Sequence, residues 1–403
     1  MEYCLSPYNR KGLPAGVTIP ASIVLGDSTM RDGEQANVKY IFEEKLEIAR
    51  RLDAVHMPEI QVGSLRSAQN VADAKAICAL GLNAKIEIMT RATAPTWKDE
   101  VRQTVEFGAG VTHSMIPLSH WLRGAYGENL DDDALLERIG QVIEYARQCG
   151  APLVNISLLD VTRTDEEYLK KTVQTIARAG AQRICLADTV GCATPEAITY
   201  IVKQAKSWLK EIGKEKSVKV RMHLHDDFGL VMANCMAAAA AGADMLDCCI
   251  NGMGKRAGNA NTVQLAIALD ALYGIKTGLD IEALYDLSKF IEKLSGVAIP
   301  TNAPFMGDLV FADDSEAHIK GLMANPFAFQ SINPINWGNP RKILIGKNSG
   351  LSAMKLKLEQ LGIVENDEEK VKILLNKCHN AAAQKSKGAY LTDNDIQGLI
   401  SAL

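Results

Sequence analysis

Between residue 22 and about residue 275, short apolar runs alternate with amphipathic stretches of helical length. Eight of the runs read as strands: Ser22–Met30, Glu59–Gly63, Lys85–Arg91, His113–Ser119, Leu153–Leu159, Arg183–Gly191, Val218–His225 and Met245–Gly252. They are rich in Val, Ile and Leu, and the segments between them, such as Glu43–Ala54 and Glu196–Ile212, carry apolar residues at helical spacing. Eight strand-then-helix units over about 250 residues have the size and rhythm of an α/β fold closed as a (β/α)8 TIM barrel. A doubly wound open sheet is the alternative, but it favours fewer strands and a glycine-rich turn after the first one. Here the first strand runs into Thr29-Met30-Arg31-Asp32-Gly33-Glu34, with no GxGxxG.

After residue 275 the rhythm changes. A helical stretch around Ile281–Leu294 leads into the Pro- and Asn-rich segment Pro300–Pro340, a loop long enough to act as a lid, and helical patterns resume at Ala353–Leu361 and Glu368–Lys385. The expected organisation is an N-terminal segment 1–21, a barrel domain 22–275, and a linker with a smaller, mainly helical C-terminal subdomain over 276–403.

Composition narrows the partners. Basic and acidic residues, 44 and 48 of them, are intermixed and leave a net charge of −4, so no electrostatic footprint for nucleic acid or an acidic membrane surface emerges. No apolar run reaches the roughly 20 residues that span a bilayer, and MEYCLSPYNRKG lacks the order of a signal peptide. The nine cysteines are odd in number and scattered, which reads as reduced thiols in a cytoplasmic chain. Small molecules are the expected partners.

In such a barrel the chemistry sits at the C-terminal strand ends, where polar residues are frequent here. His223 and His225, two residues apart, point to one face of a strand, the lumen of the barrel. Two imidazoles and a carboxylate make a common ligand set for a divalent cation, and Asp32 is a candidate third member. The alternative is a pair of polar residues at the barrel mouth. Arg31-Asp32 and Asp188-Thr189 at neighbouring strand ends favour the metal, with Mg²⁺, Mn²⁺, Zn²⁺ and Co²⁺ all open. Glu87 and Arg91 share the lumen parity of the third strand, and Arg91 is a second anchor for a dicarboxylate. Gln35, Ser157 and Asn251, at or beside strand ends, join the expected substrate contacts. His113, His120, Trp121 and Arg123 follow the fourth strand, where each alone is more often structural. Lys255 and Arg256 either meet phosphates of a ligand or are solvated, and solvation is favoured.

Gly26-Asp27-Ser28-Thr29-Met30-Arg31-Asp32-Gly33-Glu34-Gln35 resembles the first-strand signature of the DRE-type metal-dependent TIM-barrel enzymes. "HLHDDFGLVMANCMAAAAAGAD", "NGMGKRAGNANT", "HIKGLMANPFAF" and "RKILIGKNSGLSAM" resemble segments of their 2-isopropylmalate, homocitrate and citramalate synthase branch. The resemblance covers about residues 22–360. It implies that Asp32, His223 and His225 bind a divalent metal, with Asn259 near the metal or its waters. It further implies that Arg31 supports the carbonyl and its developing charge, and that Thr189 holds the carboxylate of a 2-oxo acid. His318 matches a catalytic histidine of the C-terminal subdomain, where it helps move a proton of the acyl methyl group. A homodimer with exchanged C-terminal subdomains is implied too. Regulated 2-isopropylmalate synthases continue into a leucine-binding domain, so feedback by leucine through that domain is not expected here.

Two departures from the family pattern matter. Its fifth strand ends Glu-Asp-x-x-Arg-x-Asp, and this chain reads Leu159-Asp160-Val161-Thr162-Arg163-Thr164-Asp165, so an alkyl group stands where the family has a carboxylate. Its tyrosine eleven residues after the histidine is Phe329. Asp160, adjacent, faces the other way on a strand; Glu316 is a candidate substitute carboxylate. Three readings follow in order: a Claisen-type condensing enzyme joining an acyl-CoA, acetyl-CoA in the family, to a 2-oxo acid; a metal-dependent aldolase or lyase; and a non-catalytic metabolite-binding relative.

Overall fold

The computed structural model describes residues 3–13, 18–125, 130–386 and 389–401. The eight apolar runs form β1 (Val24–Asp27), β2 (Glu59–Val62), β3 (Lys85–Arg91), β4 (Val111–Pro117), β5 (Val154–Leu159), β6 (Arg183–Asp188), β7 (Lys219–Leu224) and β8 (Met245–Cys248). Each pairs in parallel with the next, and β8 returns to β1 in the register Val24↔Met245 to Asp27↔Cys248. The sheet is therefore a closed barrel, and the open-sheet alternative falls. Most strands stop short of the apolar runs that announced them, because polar residues at their ends fold into turns. Five of the helices that follow strands start where a side chain accepts a backbone N–H, at Ser67, Asp131, Asp165, Thr194 and Asn261. Each such cap stabilises its helix by about 1 kcal/mol.

Alternation along the strands separates two environments. Ile60, Ile88, Ile116, Ile156 and Leu186 are fully buried and face the helical layer. Each contributes about 2 kcal/mol through the apolar area withdrawn from water. The inward alternates carry charge instead. Arg221, without solvent exposure, donates from Nη1 to both oxygens of Glu87 (2.9 and 2.7 Å) and from Nε to Asp247 (2.5 Å). Arg183 grips Glu59 through two bonds of 2.6 and 2.7 Å. Gly26 makes room for this: a Cβ there would stand 2.7 Å from Arg221 Nη2 and 2.6 Å from Met245 Cε. Glu87, expected at the mouth, lies in this deep network with His113 Nδ1 at 2.7 Å.

The barrel unit runs from Tyr8 to Ala298, beyond the boundary expected at residue 275. The reason is helix Leu284–Ser295, whose Leu284, Leu287 and Ile291 are buried and whose Ser288 carbonyl accepts Asn251 Nδ2 at 3.0 Å. The expected segment 1–21 is likewise divided, since Met1–Pro7 groups with Ile299–Leu403 and Cys4 N–H donates to Ser331 O at 2.9 Å. This second unit is mainly helical, with helices Glu316–Ala324, Leu351–Gln360, Glu368–Ala383 and Asp393–Ser401. They gather around Ile319, Ile343, Met354, Leu374 and Ile396. The segment expected as a loop-rich lid thus contains helix Glu316–Ala324 and strand Ala312–Asp313. Among the described residues no helix is long and apolar enough to cross a membrane.

Candidate active site

The turn after β1 builds the first part of the site. Asp27 ends the strand by accepting Thr29 N–H (2.9 Å) and Thr29 Oγ1–H (2.8 Å), and the backbone N–H groups of Arg31, Asp32 and Gly33 all converge on Ser28 O. Arg31 and Asp32 are thereby held in a tight turn above the barrel rather than on the strand itself. From β7, His223 projects into the lumen and His225 follows just past the strand end, tied by a bridge to Asn259. Their rings are 5.0 Å apart and edge-on.

Asp32 Oδ2 lies 3.4 Å from His223 Nε2 and 3.5 Å from His225 Nε2, and all three residues are buried. Burial opposes ionisation of Asp32, but the Arg31 guanidinium and both imidazoles outweigh it and hold its carboxyl well below the usual range. Burial and the neighbouring His223 push His225 down to about 3. Burial and Arg31 also press His223 downward, yet Asp247 and Asp32 prevail and raise it. Asp32 Oδ2, His225 Nδ1 and Asn259 Oδ1 are buried and make no hydrogen bond among the described residues. Buried polar atoms left without partners cost about 1–3 kcal/mol each, and an unpartnered carboxylate oxygen set against two imidazole Nε2 atoms fits the donor set of a divalent cation.

Beneath the cluster, His223 Nδ1 meets Asp247 Oδ2 at 2.9 Å. Arg31 Nε donates to Gln61 Oε1 (2.9 Å), and Gln61 Nε2 donates to Asp247 Oδ1 (3.0 Å). Asp247 was not among the sequence-derived site residues. Its signal was an acid at the inward parity of an apolar strand, in register with Gly26.

The cluster opens into a cavity of about 470 Å³. Gln35, Ser157 and Thr189 line it as the sequence suggested. Thr189 Oγ1 accepts Asp160 N–H at 2.8 Å, which leaves its hydroxyl proton to donate. Met89, Met115, Leu122, Leu159 and Val190 give the cavity an apolar stretch of wall. Leu159, in the place of the family glutamate, faces the cavity, while Asp160 turns away at φ 65° and pairs with Arg163 at 2.7 Å.

Three expectations change. Arg91 does not line the cavity; its guanidinium and backbone N–H are engaged by Glu100 on the following helix. Asn251, at φ 60°, turns its amide to Ser288. Asn259, expected near the metal or its waters, is bridged to His225, with Nδ2 donating to Leu224 O at 3.0 Å. Lys255, expected in solvent, does line the cavity.

In the C-terminal unit, His318 Nδ1 lies 3.1 Å from Asp313 Oδ2 and its ring stacks on Phe329 at 4.2 Å. Glu316 is not beside it as a spare base. Its carboxylate accepts the N–H groups of Ser352 (3.3 Å) and Ala353 (3.2 Å), capping helix Leu351–Gln360, and a Cβ at Gly350 would collide with it. Burial works against that charge, but the hydrogen bonds from Ser352 and Ala353 bring its pKa down to about 2.

A closed parallel barrel with a His-His-Asp cluster at the C-terminal mouth of its strands places the protein among TIM-barrel enzymes. The chain belongs to the HMGL-like family, whose model matches residues 22–291; a second model, homocitrate synthase post-HMGL domain-like, matches residues 305–386. It is 34% identical over 410 residues to homocitrate synthase AksA of Methanothermobacter thermautotrophicus, covering 100% of this chain and 98% of that one. It is 33% identical over 377 residues to (R)-citramalate synthase CimA of Methanocaldococcus jannaschii, covering 93% and 73%. Hydroxymethylglutaryl-CoA lyase from Pseudomonas aeruginosa shares the fold, with TM-score 0.59 and 22% identity over 70% of this chain and 95% of that one.

Proposed function

We propose that this protein is a metal-dependent acyltransferase that condenses an acyl-CoA, acetyl-CoA in the first instance, with a 2-oxo acid to give a 2-hydroxy-2-alkyl dicarboxylate or related acid. The convergence of Asp32, His223 and His225 on one point of the cavity floor is the observation that carries this reading. These three would hold Mg²⁺, Mn²⁺, Zn²⁺ or Co²⁺, with Asn259 Oδ1 as a neighbouring oxygen. A bound cation supplies Lewis acidity toward a carbonyl oxygen.

The remaining work falls to this chain's own groups. Thr189 donates its hydroxyl to the oxo-acid carboxylate, with Ser157 and Gln35 beside it. Arg31, anchored by Gln61, faces the negative charge that develops on the carbonyl. The wall from Met89 to Val190 keeps water from the reacting carbons. His318, its tautomer set by Asp313, moves the proton of the acyl methyl group. A homodimer with exchanged C-terminal subdomains and a cytoplasmic location accompany this reading.

Free CoA should appear from acetyl-CoA with Mg²⁺ or Mn²⁺ only when a suitable 2-oxo acid is present, and should cease with EDTA. CoA release that ignores the oxo acid would count against condensation. Leu159 in the wall supports a second reading, an aldolase or lyase that does not need the family glutamate. Release of pyruvate from 4-hydroxy-2-oxo acids would favour it.

A further inference from the structure

The cavity is divided by charge. Its apolar wall comes from β3 to β6 and the segments that follow them, whereas Lys255, Arg31 and Arg66 stand on the loops after β8, β1 and β2, which are neighbours around the barrel. Other charges on the rim are already engaged. Arg256 donates to Asp227 (2.6 and 3.0 Å) and to Thr189 O (2.7 Å), and Glu34 holds Lys45 at 3.0 Å. Arg31 is committed to Gln61 and Asp32. Lys255 and Arg66 differ: among the described residues, neither has a carboxylate within 4.0 Å. The Lys255 ammonium is pushed below its ordinary pKa by burial and by Arg31, Arg256 and Arg66, against the pull of Asp32.

A half-buried ammonium among guanidiniums is unfavourable unless something negative joins it. The oxo-acid carboxylate assigned to Thr189 does not meet that need across the whole arc: the loop after β8 reaches Thr189 through Arg256, but Arg66, on the loop after β2, stands on the opposite side of the barrel from β6.

We propose that the oxo-acid substrate carries a second anionic group, a distal carboxylate or phosphoryl group, seated between Lys255 and Arg66. This rests on the condensation reading and deepens it: the substrate is a dianionic or trianionic 2-oxo acid rather than a 2-oxo acid with an alkyl tail. Ser64 and Asn70, on the same loop as Arg66, line the cavity and complete the polar side of the seat.

Two equal-length acids, 2-oxovalerate and 2-oxoglutarate, together with 3-phosphonopyruvate, separate the possibilities. CoA release and the shift in melting temperature with Mg²⁺ are measured for each acid on the wild type, Lys255→Met and Arg66→Gln. The wild type should favour an acid with a second anion over 2-oxovalerate by about tenfold or more, and each variant should shrink that ratio about tenfold. Which of the two anionic acids leads tells carboxylate from phosphoryl. Equal use of charged and alkyl-tailed acids would overturn the proposal. So would a Lys255→Met variant that keeps the ratio but raises KM for acetyl-CoA, since the anion would then be a CoA phosphate. If no acid releases CoA, condensation fails as a reading. The subsite is still tested by the melting shift: a charge-dependent shift lost in Lys255→Met supports it, and equal shifts for all acids refute it.

Discussion

Asp247 Oδ2 sits 2.9 Å from His223 Nδ1, on the side of the ring opposite Asp32. With the carboxylate accepting a hydrogen bond from Nδ1–H, Nε2 is the nitrogen whose lone pair faces Asp32 and His225 when the ring is neutral. Asp247 is itself held as an anion: burial opposes it, but Arg221 and His223 bring its pKa down to about 2. Tautomer control of one imidazole of the cluster thus reaches down to an arginine at the barrel centre.

Asp247→Asn should keep the shape of this contact while removing its charge. The affinity for Mn²⁺, measured by calorimetry, should fall about 10–100-fold, the usual effect of losing a carboxylate behind a ligating histidine. Unchanged affinity would mean that His223 does not bind metal through Nε2.

Arg221 joins Glu87 and Asp247 with no access to water. Arg221→Met would strand both acids, and urea unfolding should show a loss of about 3–5 kcal/mol. A loss below about 1 kcal/mol would mean that the network relaxes or admits water.

Glu316 gives a stability signal that depends on pH. Its folded pKa of about 2 lies below the unfolded value of about 4.3. The cap is therefore fully present above the unfolded value and is lost as pH falls toward 2. Glu316→Ala should cost about 1 kcal/mol at pH 7, and the gap to the wild type should close between about pH 4 and pH 2. A gap that persists in acid would point to packing of the side chain rather than its charge.

Leu159 and Phe329 stand where the family carries a glutamate and a tyrosine. If proton transfer limits the reaction, Leu159→Glu with Phe329→Tyr should raise CoA release by about 10². A slower double variant would show that the chemistry has been rebuilt around the alkyl wall and the ring stacked on His318.

The local sequence was enough for the barrel, because eight apolar runs with intervening amphipathic helices leave few other ways to bury both faces of a parallel sheet. The spacing of His223 and His225, with Asp32 in its turn, was legible for the same reason: strand parity and strand-end position are local properties. Side-chain direction past a strand end is not. Arg91 continues the lumen parity of β3, yet Glu100 on the next helix takes its guanidinium, and Asn251 turns outward once φ becomes positive. Glu316 looked like a free acid until helix Leu351–Gln360 presented its unpaired N–H groups to it. Asp247 and Lys255 needed the closed barrel most. What an ionised group does depends on which charges stand within a few ångströms: pairing of β8 with β7 brings Asp247 to His223, and closure of β8 on β1 leaves Lys255 half-buried among arginines.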